Sequence, residues 1–352
     1  MPKRDVSAAN HSNLREDIMK MRFFGVLLAL ASDFALPVFA QQTVTSNIGK
    51  VHFKFQNVIN TNDPTFNQEL GINNFGVIAG YSGSGAGGHP NKGYTVFRKL
   101  GQSRVTQADF VNENYPGSVQ TQVTGINNRG GVFLSATVTV GFWSDSNNGN
   151  LVNNNFGFVN IGGQNGTFIL VNNPNTGTIN FVRTNQLLGV NDENVAVGFY
   201  IDIAGQTHGY TYSIGSATYS TNIDDPNGVG TTTAAAINDF GQIAGFYVDG
   251  MGVTHGFYES NGVFKTIDVP HATATSLLGL NNFGLAVGFD IDKANKMHGV
   301  IANVVTGATQ EVNDPKGRGT TTFNGVNDFG QIVGFYVNGA GNTIGLLATP
   351  EP

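Results

Sequence analysis

Three observations predict an all-β fold, and within it a six-bladed β-propeller of four-stranded blades. The composition suits strands and tight turns, one unit recurs six times, and the two ends of the array are out of phase by one strand. The 352-residue chain holds 48 Gly and 26 Phe, no Cys and one Trp, and only 12% of it is charged. Glycine is at roughly twice its usual share and charge at about half. Helix-favouring Glu, Lys and Arg are scarce, while Thr, Val, Phe, Tyr, Asn and Gly are common. Such a chain forms short strands joined by turns rather than helices.

Taken in order, residues 1–18 are a polar N-terminal extension, and translation starting at Met19 or Met21 would omit it. Residues 19–40 read as a signal peptide. Lys20 and Arg22 form a basic start, Phe23 to Leu30 an apolar run, and Val38-Phe39-Ala40 places small residues at the cleavage site. Asp33 interrupts the run, which a membrane span of roughly 20 apolar residues would not allow. Cleavage is expected after Ala40, leaving 41–50 as a flexible N-terminal segment, 51–349 as one propeller and 350–352 as a tail. No stable membrane span remains after cleavage.

The repeat is anchored by Gly71-Ile72-Asn73-Asn74-Phe75-Gly76, which returns at Gly125, Gly189, Ala236, Gly279 and Gly325. The Asn anchors, 73, 127, 191, 238, 281 and 327, are 54, 64, 47, 43 and 46 residues apart. A Gly-aromatic pair follows at Gly80-Tyr81, Gly141-Phe142, Gly198-Phe199, Gly245-Phe246, Gly288-Phe289 and Gly334-Phe335, later in the second copy, which carries an insertion. Each unit reads as four strands; in the fifth these are Leu277–Asn281, Leu285–Asp290, Met297–Ala302 and Thr309–Val312. Asn-Asn/Asp-x-Gly makes the first hairpin and Asp-x-x-Gly the second, with Gly supplying φ > 0. Only the link to the next unit is long. Short hairpins within a unit and one longer link between units describe a propeller blade. The Gly-x-Asn strand is then innermost, where small residues let six strands converge, and the Gly-aromatic strands pack sheet on sheet. A β-solenoid or a sandwich also has short strands, but unit lengths of 43–64 fit blades better.

The last unit stops after its third strand, Thr343–Thr349, while Val51–Ile59 is a lone strand ahead of the first anchor. Asn62-Asp63-Pro64 follows that strand, as Asp225-Pro226 and Asp314-Pro315 follow fourth strands elsewhere. The N-terminal strand is therefore expected to complete the last blade, closing the ring and removing the need for capping repeats.

The string Asn238-Asp239-Phe240-Gly241-Gln242-Ile243-Ala244-Gly245-Phe246, followed by His255-Gly256-Phe257, resembles the extracellular HAF-repeat family across essentially 52–348. The chain has Gly where that family's His-Ala-Phe has Ala, and Ile344 stands where the sixth copy would carry His. The resemblance implies a secreted bacterial repeat protein and brings no catalytic residues. Thr349-Pro350-Glu351-Pro352 is similar to the start of a PEP-CTERM sorting tail, without the apolar span and basic end of such tails.

From residue 41 onward there are 13 basic and 20 acidic residues and no basic stripe, which argues against nucleic acid as a partner. Without cysteine, buried area rather than disulfides holds the fold. His208, His255 and His298 precede Gly in three copies. On third strands of separate blades they would lie on the order of 15 Å apart, too far to share one metal. Each is expected to be hydrogen-bonded within its blade near the turn.

The inter-blade links, with Asp63, Asp225, Asp268 and Asp314, share a face with the turns bearing Asp202, Asp249 and Asp292, and Tyr200, Tyr247 and Tyr336 lie close by. Carboxylates, amides and hydroxyls around one face suit a glycan or protein ligand, and hard oxygen ligands suit Ca²⁺. Asx before Pro also stabilises turns unaided. There is no Gly-x-Ser-x-Gly, His-Glu-x-x-His, Gly-Lys-Ser/Thr or EF-hand loop. The leading expectation is a non-catalytic extracellular binding module using the link face, with no cofactor unless Ca²⁺ binds there. The first rival is a polysaccharide hydrolase or lyase with Asp225, Asp268 and Asp314 as its acid/base pool. The second is self-assembly, with 41–50 added to a neighbour's sheet edge.

Overall fold

The computed structural model describes residues 51–86, 88–97, 105–130, 137–145 and 154–351. The expected extension, signal peptide and flexible segment at 1–50 lie outside the described residues. Among the described residues no helix is long and apolar enough to cross a membrane.

The chain forms six four-stranded antiparallel sheets, five built from consecutive strands. Blade 1 comprises Asn67–Ile72, Val77–Ser82, Lys92–Phe97 and Phe110–Asn112. Blades 2 to 5 open with Gln120–Ile126, Asn185–Val190, Thr233–Ile237 and Ala274–Leu280. Blade 6 takes Thr322–Val326, Ile332–Val337 and Thr343–Pro350 from the C-terminal end and Phe53–Val58 from the N-terminal end. The closing pair runs in register from Phe53 opposite Pro350 to Val58 opposite Gly345. The molecule is thus a six-bladed propeller whose chain ends meet in one blade.

Turn chemistry positions the strands. Gly76, Gly130, Gly241, Gly284 and Gly330 adopt φ of 71–82° in the first hairpins, and Asn194 takes that place in blade 3 at φ 58°. Each innermost strand carries a bulge, for example between Glu69 and Gly71 and between Leu187 and Gly189. The small residue after it marks where backbones nearly touch at the axis. A Cβ on Gly125 would lie 3.0 Å from the Gly189 Cα, and one on Gly325 3.0 Å from the Gly71 Cα.

The core is six inter-blade layers rather than one centre. Val140, Val159, Leu187 and Tyr210 pack between blades 2 and 3. Val58, Leu347, Ile78 and Tyr94 pack between blades 6 and 1, across the seam. The aromatic directly after the second-strand Gly (Phe142, Phe199, Phe246, Phe289, Phe335) is only half-buried. The next residue, Tyr200, Tyr247 or Tyr336, fills the core instead.

Candidate functional site

Within a blade, the link to the next blade and the turn between strands two and three open on one face, so the candidate acids do share a face. Asp202, Asp249 and Asp292 each fold their turn around one oxygen. Asp249 Oδ1 accepts N–H bonds from Met251 at 2.8 Å and Val253 at 2.9 Å, and the other two repeat the pattern at 2.8 Å. These backbone donors hold all three carboxyls below their ordinary value. The second oxygen faces the blade's histidine. His255 Nε2 lies 3.3 Å from Asp249 and its Nδ1 2.8 Å from Asp268 on the link. His208 bridges Asp202 at 3.5 Å and Asp224 at 2.9 Å. His298 meets Asp292 at 3.4 Å, with Asn313 on its other nitrogen. Each histidine therefore ties turn to link inside its own blade, as its spacing in the sequence predicts.

The rim is a set of separate clamps. Asp225 and Asp314 are only 1% and 2% exposed. Their Oδ1 atoms accept the N–H of Asn227 at 2.8 Å and of Lys316 at 2.7 Å, which fixes the links. Tyr200, Tyr247 and Tyr336 are likewise buried, with hydroxyls on Asn222, Thr266 and Asn57. These five side chains underlie the face rather than open onto it, and Asp63, Asp202, Asp249, Asp268 and Asp292 remain at the rim. Among the described residues no three His or acidic side chains are grouped to hold a metal ion. Turn N–H groups and histidines engage the oxygens of Asp202, Asp249 and Asp292. Blade 5 departs from the pattern: Asp290 stands where three blades have tyrosine, and burial, with Glu311 nearby, pushes it up to about 6.

Blade 1 opens a real cleft on this face, of about 410 Å³. The link supplies Asn60 and Asp63, the turn supplies His89, and Lys92, Tyr94 and Phe110 come from the outer strands. His89 Nδ1 sits 2.8 Å from Asp63 Oδ2, and Thr65 donates its hydroxyl to the other oxygen at 2.6 Å. Burial works against the Asp63 charge, but the Thr65 and His89 contacts outweigh it and keep its carboxyl low. A carboxylate, a lysine, amides and an aromatic wall thus converge in one concavity. The repeat pattern marks Asp63 but not His89 and Lys92, which stand outside the repeated His-Gly pattern. Their signal was the departure itself: blade 1 has Lys92 immediately before Gly93, where blades 3 to 5 carry histidine.

On the opposite face the anchor asparagines close a ring of hydrogen bonds. Asn73 Nδ2 donates to the Asn127 carbonyl at 3.1 Å, and the chain continues through Asn191, Asn238, Asn281 and Asn327 back to the Asn73 carbonyl at 3.0 Å. The next residues form a second circuit. The backbone N–H of Asn74, Asn128, Asp192, Asp239, Asn282 and Asp328 each reaches the side-chain oxygen of the following blade, at 2.6–2.9 Å. This mouth is structural, as the turn reading of the anchors predicts; the second circuit was not foreseen.

A scan against protein-family models and a search of curated proteins give no match. Solved structures do match. A protein of unknown function from Dyadobacter fermentans aligns at TM-score 0.52 and 10% identity, covering 86% of this chain and 100% of that one. A lectin from Aleuria aurantia, crystallised with Fucα1-6GlcNAc, aligns at TM-score 0.46 and 10% identity over 80% and 93% of the two chains. A chain of a nidogen/laminin complex aligns at TM-score 0.45 and 9% identity over 75% and 86%. Of these three, the first alone passes 0.5, and at 10% identity it bears on the fold only.

Proposed function

We propose that this chain is a secreted, non-catalytic binding propeller of the HAF-repeat kind, which takes an extracellular glycan or protein ligand on the link face. The observation that carries this reading is the cleft of about 410 Å³ in blade 1. It lies within the roughly 300–1,000 Å³ of ordinary ligand pockets and combines an aromatic wall with a few convergent polar groups. Asp63, His89 and Lys92 supply an acceptor and donors that fix a polar ligand. The remaining rim acids, Asp202, Asp249, Asp268 and Asp292, offer further acceptors blade by blade. The hydrolase reading gains no support from this geometry: Asp225 and Asp314 are buried in turns, and Asp268 is paired with His255. Glycosidases instead hold two carboxyls about 5–9.5 Å apart across a cleft.

The test is a glycan array and a pull-down from culture medium with the chain from residue 41 onward, followed by calorimetric titration of any binder. Asp63→Asn should weaken binding by about tenfold or more, the worth of one charge-assisted hydrogen bond. Absence of any binder, together with turnover of a polymer, would overturn the reading.

A further inference from the structure

The repeat departs from its own symmetry at one position on the innermost strands. Opposite the aromatic after the second-strand Gly, blades 1 to 3 carry glutamine: Gln68 faces Tyr81, Gln122 faces Phe142 and Gln186 faces Phe199. Blades 4 to 6 carry hydroxyls there, with Thr233, Ser276 and Thr322 facing Phe246, Phe289 and Phe335. The three hydroxyl residues are buried and the three glutamines half-buried. One side of the ring is therefore furnished with exposed amides that the other side lacks.

On that side a cleft of about 250 Å³ spans blades 1 to 3 on the link face. Gln122, Gln186, Tyr81 and Phe142 line it, and among the described residues no charged side chain does. Gln122 Nε2 donates to Asn91 at 3.0 Å and Gln186 Nε2 to Asn155 at 2.7 Å, and both asparagines also line the cleft. These pairs hold the amide planes, and a held amide offers donors and an acceptor in fixed directions. Trp143 forms part of the wall. Its ring stacks on Tyr115 and meets Phe156 at a tilt, each centroid 4.7 Å away. Its buried Nε1–H has no hydrogen-bond partner among the described residues.

We propose that this cleft binds a single uncharged sugar ring. The proposal rests on the binding reading above and names a second site and its ligand class. Neutral amides matched to vicinal hydroxyls, beside aromatic rings that cover an apolar sugar face, recognise an uncharged polyol. A lining without charge gives an acidic sugar or an acidic peptide nothing to pair with. The volume is below that of drug-sized ligand pockets, so it takes one ring rather than a chain of rings.

Trp143 is the only tryptophan in the chain, so its emission reports this cleft alone. The full chain is titrated with neutral hexoses, deoxyhexoses and N-acetylhexosamines, and with glucuronate as the charged counterpart. A saturable change with a neutral sugar, and none with glucuronate, is expected. Gln122→Ala should weaken it by about tenfold with the thermal melt unchanged; if that variant melts early, Phe142→Leu serves in its place. Asp63→Asn should leave this signal intact. No response to any neutral sugar, an equal response to glucuronate, displacement by peptide rather than sugar, or indifference to both cleft variants would overturn the proposal. Binding that depends on Asp63 but never moves Trp143 sinks this inference and leaves the broader reading standing; a Trp143 response to a neutral sugar, with no binder that Asp63→Asn weakens, supports this cleft and removes the blade 1 cleft from the broader reading.

Discussion

Glu69 is the residue most at odds with its surroundings. It sits opposite Gly80, a place filled in the other blades by Val123, Leu187, Ala234, Leu277 and Phe323. Tyr94 donates its hydroxyl to Oε1 at 2.8 Å, while Oε2 has no partner among the described residues. Burial pushes its carboxyl up to about 8, with the Tyr94 bond only partly opposing. Glu113, buried between blades 1 and 2, is better served, by Thr95, Thr139 and Asn160, yet burial raises it too. The sign follows from proton counting. Between the unfolded value near 4.5 and about 8 the folded chain keeps a proton that the unfolded chain has lost. Stability therefore falls as pH rises through that window, for Glu69 on the order of 4–5 kcal/mol in all. His255 adds to the fall. Burial disfavours its charge, but Asp268 and Asp249 together outweigh that and raise it, so its contribution is full below about 6.5 and is lost as pH climbs through the folded value. Glu69→Gln should remove most of the decline, read from denaturant melts at pH 5 and pH 8. An unchanged slope would show that this carboxyl is not the source.

At the scale of the element, the first hairpin of each blade is the unit that joins neighbours. Asn238 shows how: its Oδ1 accepts the N–H of Phe240 at 3.1 Å and of Gln242 at 3.0 Å, and its Nδ2 reaches the Asn281 carbonyl of the next blade at 3.3 Å. One buried amide thus shapes a turn and bonds two sheets. Asn238→Ala strands buried donors and an acceptor, so a loss of about 2–4 kcal/mol is expected in chemical denaturation. Asn238→Asp, which keeps the acceptor but not the cross-blade donor, should fall between the two. Equal stability of all three would refute the bonding role. These hairpins were legible in the sequence because a turn advertises itself locally, through Gly at φ > 0 and an Asx that bonds its own backbone. The second circuit through Asn74 and Asp239 was not, since it joins residues 43–64 positions apart, and 254 apart where it closes, and leaves no local mark. The Phe199-Tyr200 pair was ambiguous for another reason. Alternation puts neighbours on opposite faces, and when both are aromatic the pattern does not say which face is the core. The neutral cleft was illegible because it is assembled from three blades at a place where the repeat changes quietly from hydroxyl to amide.

For the whole molecule, stability is circular: six sheets share six packed interfaces, and the sixth blade is completed only because Phe53–Val58 pairs with Thr343–Pro350. That strand supplies Val58 to the layer between blades 6 and 1, and Phe53 and Phe55 to the cluster of blades 5 and 6. It was predictable from phase alone, since an array missing a fourth strand at one end and holding a spare at the other has one economical solution. Removing 51–59 would bare the backbone edge of Thr343–Pro350 and open the layer that covers Glu69. An open sheet edge is a template for another chain, so the truncated protein should do two things. Its melt should drop sharply or lose cooperativity, because blade 6 loses its outer strand and the layers on both sides of that blade lose Val58, Phe53 and Phe55. It should also self-associate in a concentration-dependent way, seen by light scattering, as the bared edge recruits a partner. A synthetic peptide of residues 51–59 added in excess should restore the monomer and raise the melt, and a peptide with Phe53, Phe55 and Val58 changed to Ser should not. A truncated chain that stays monomeric and unfolds in one step at the full-length temperature would mean that each blade stands without the ring.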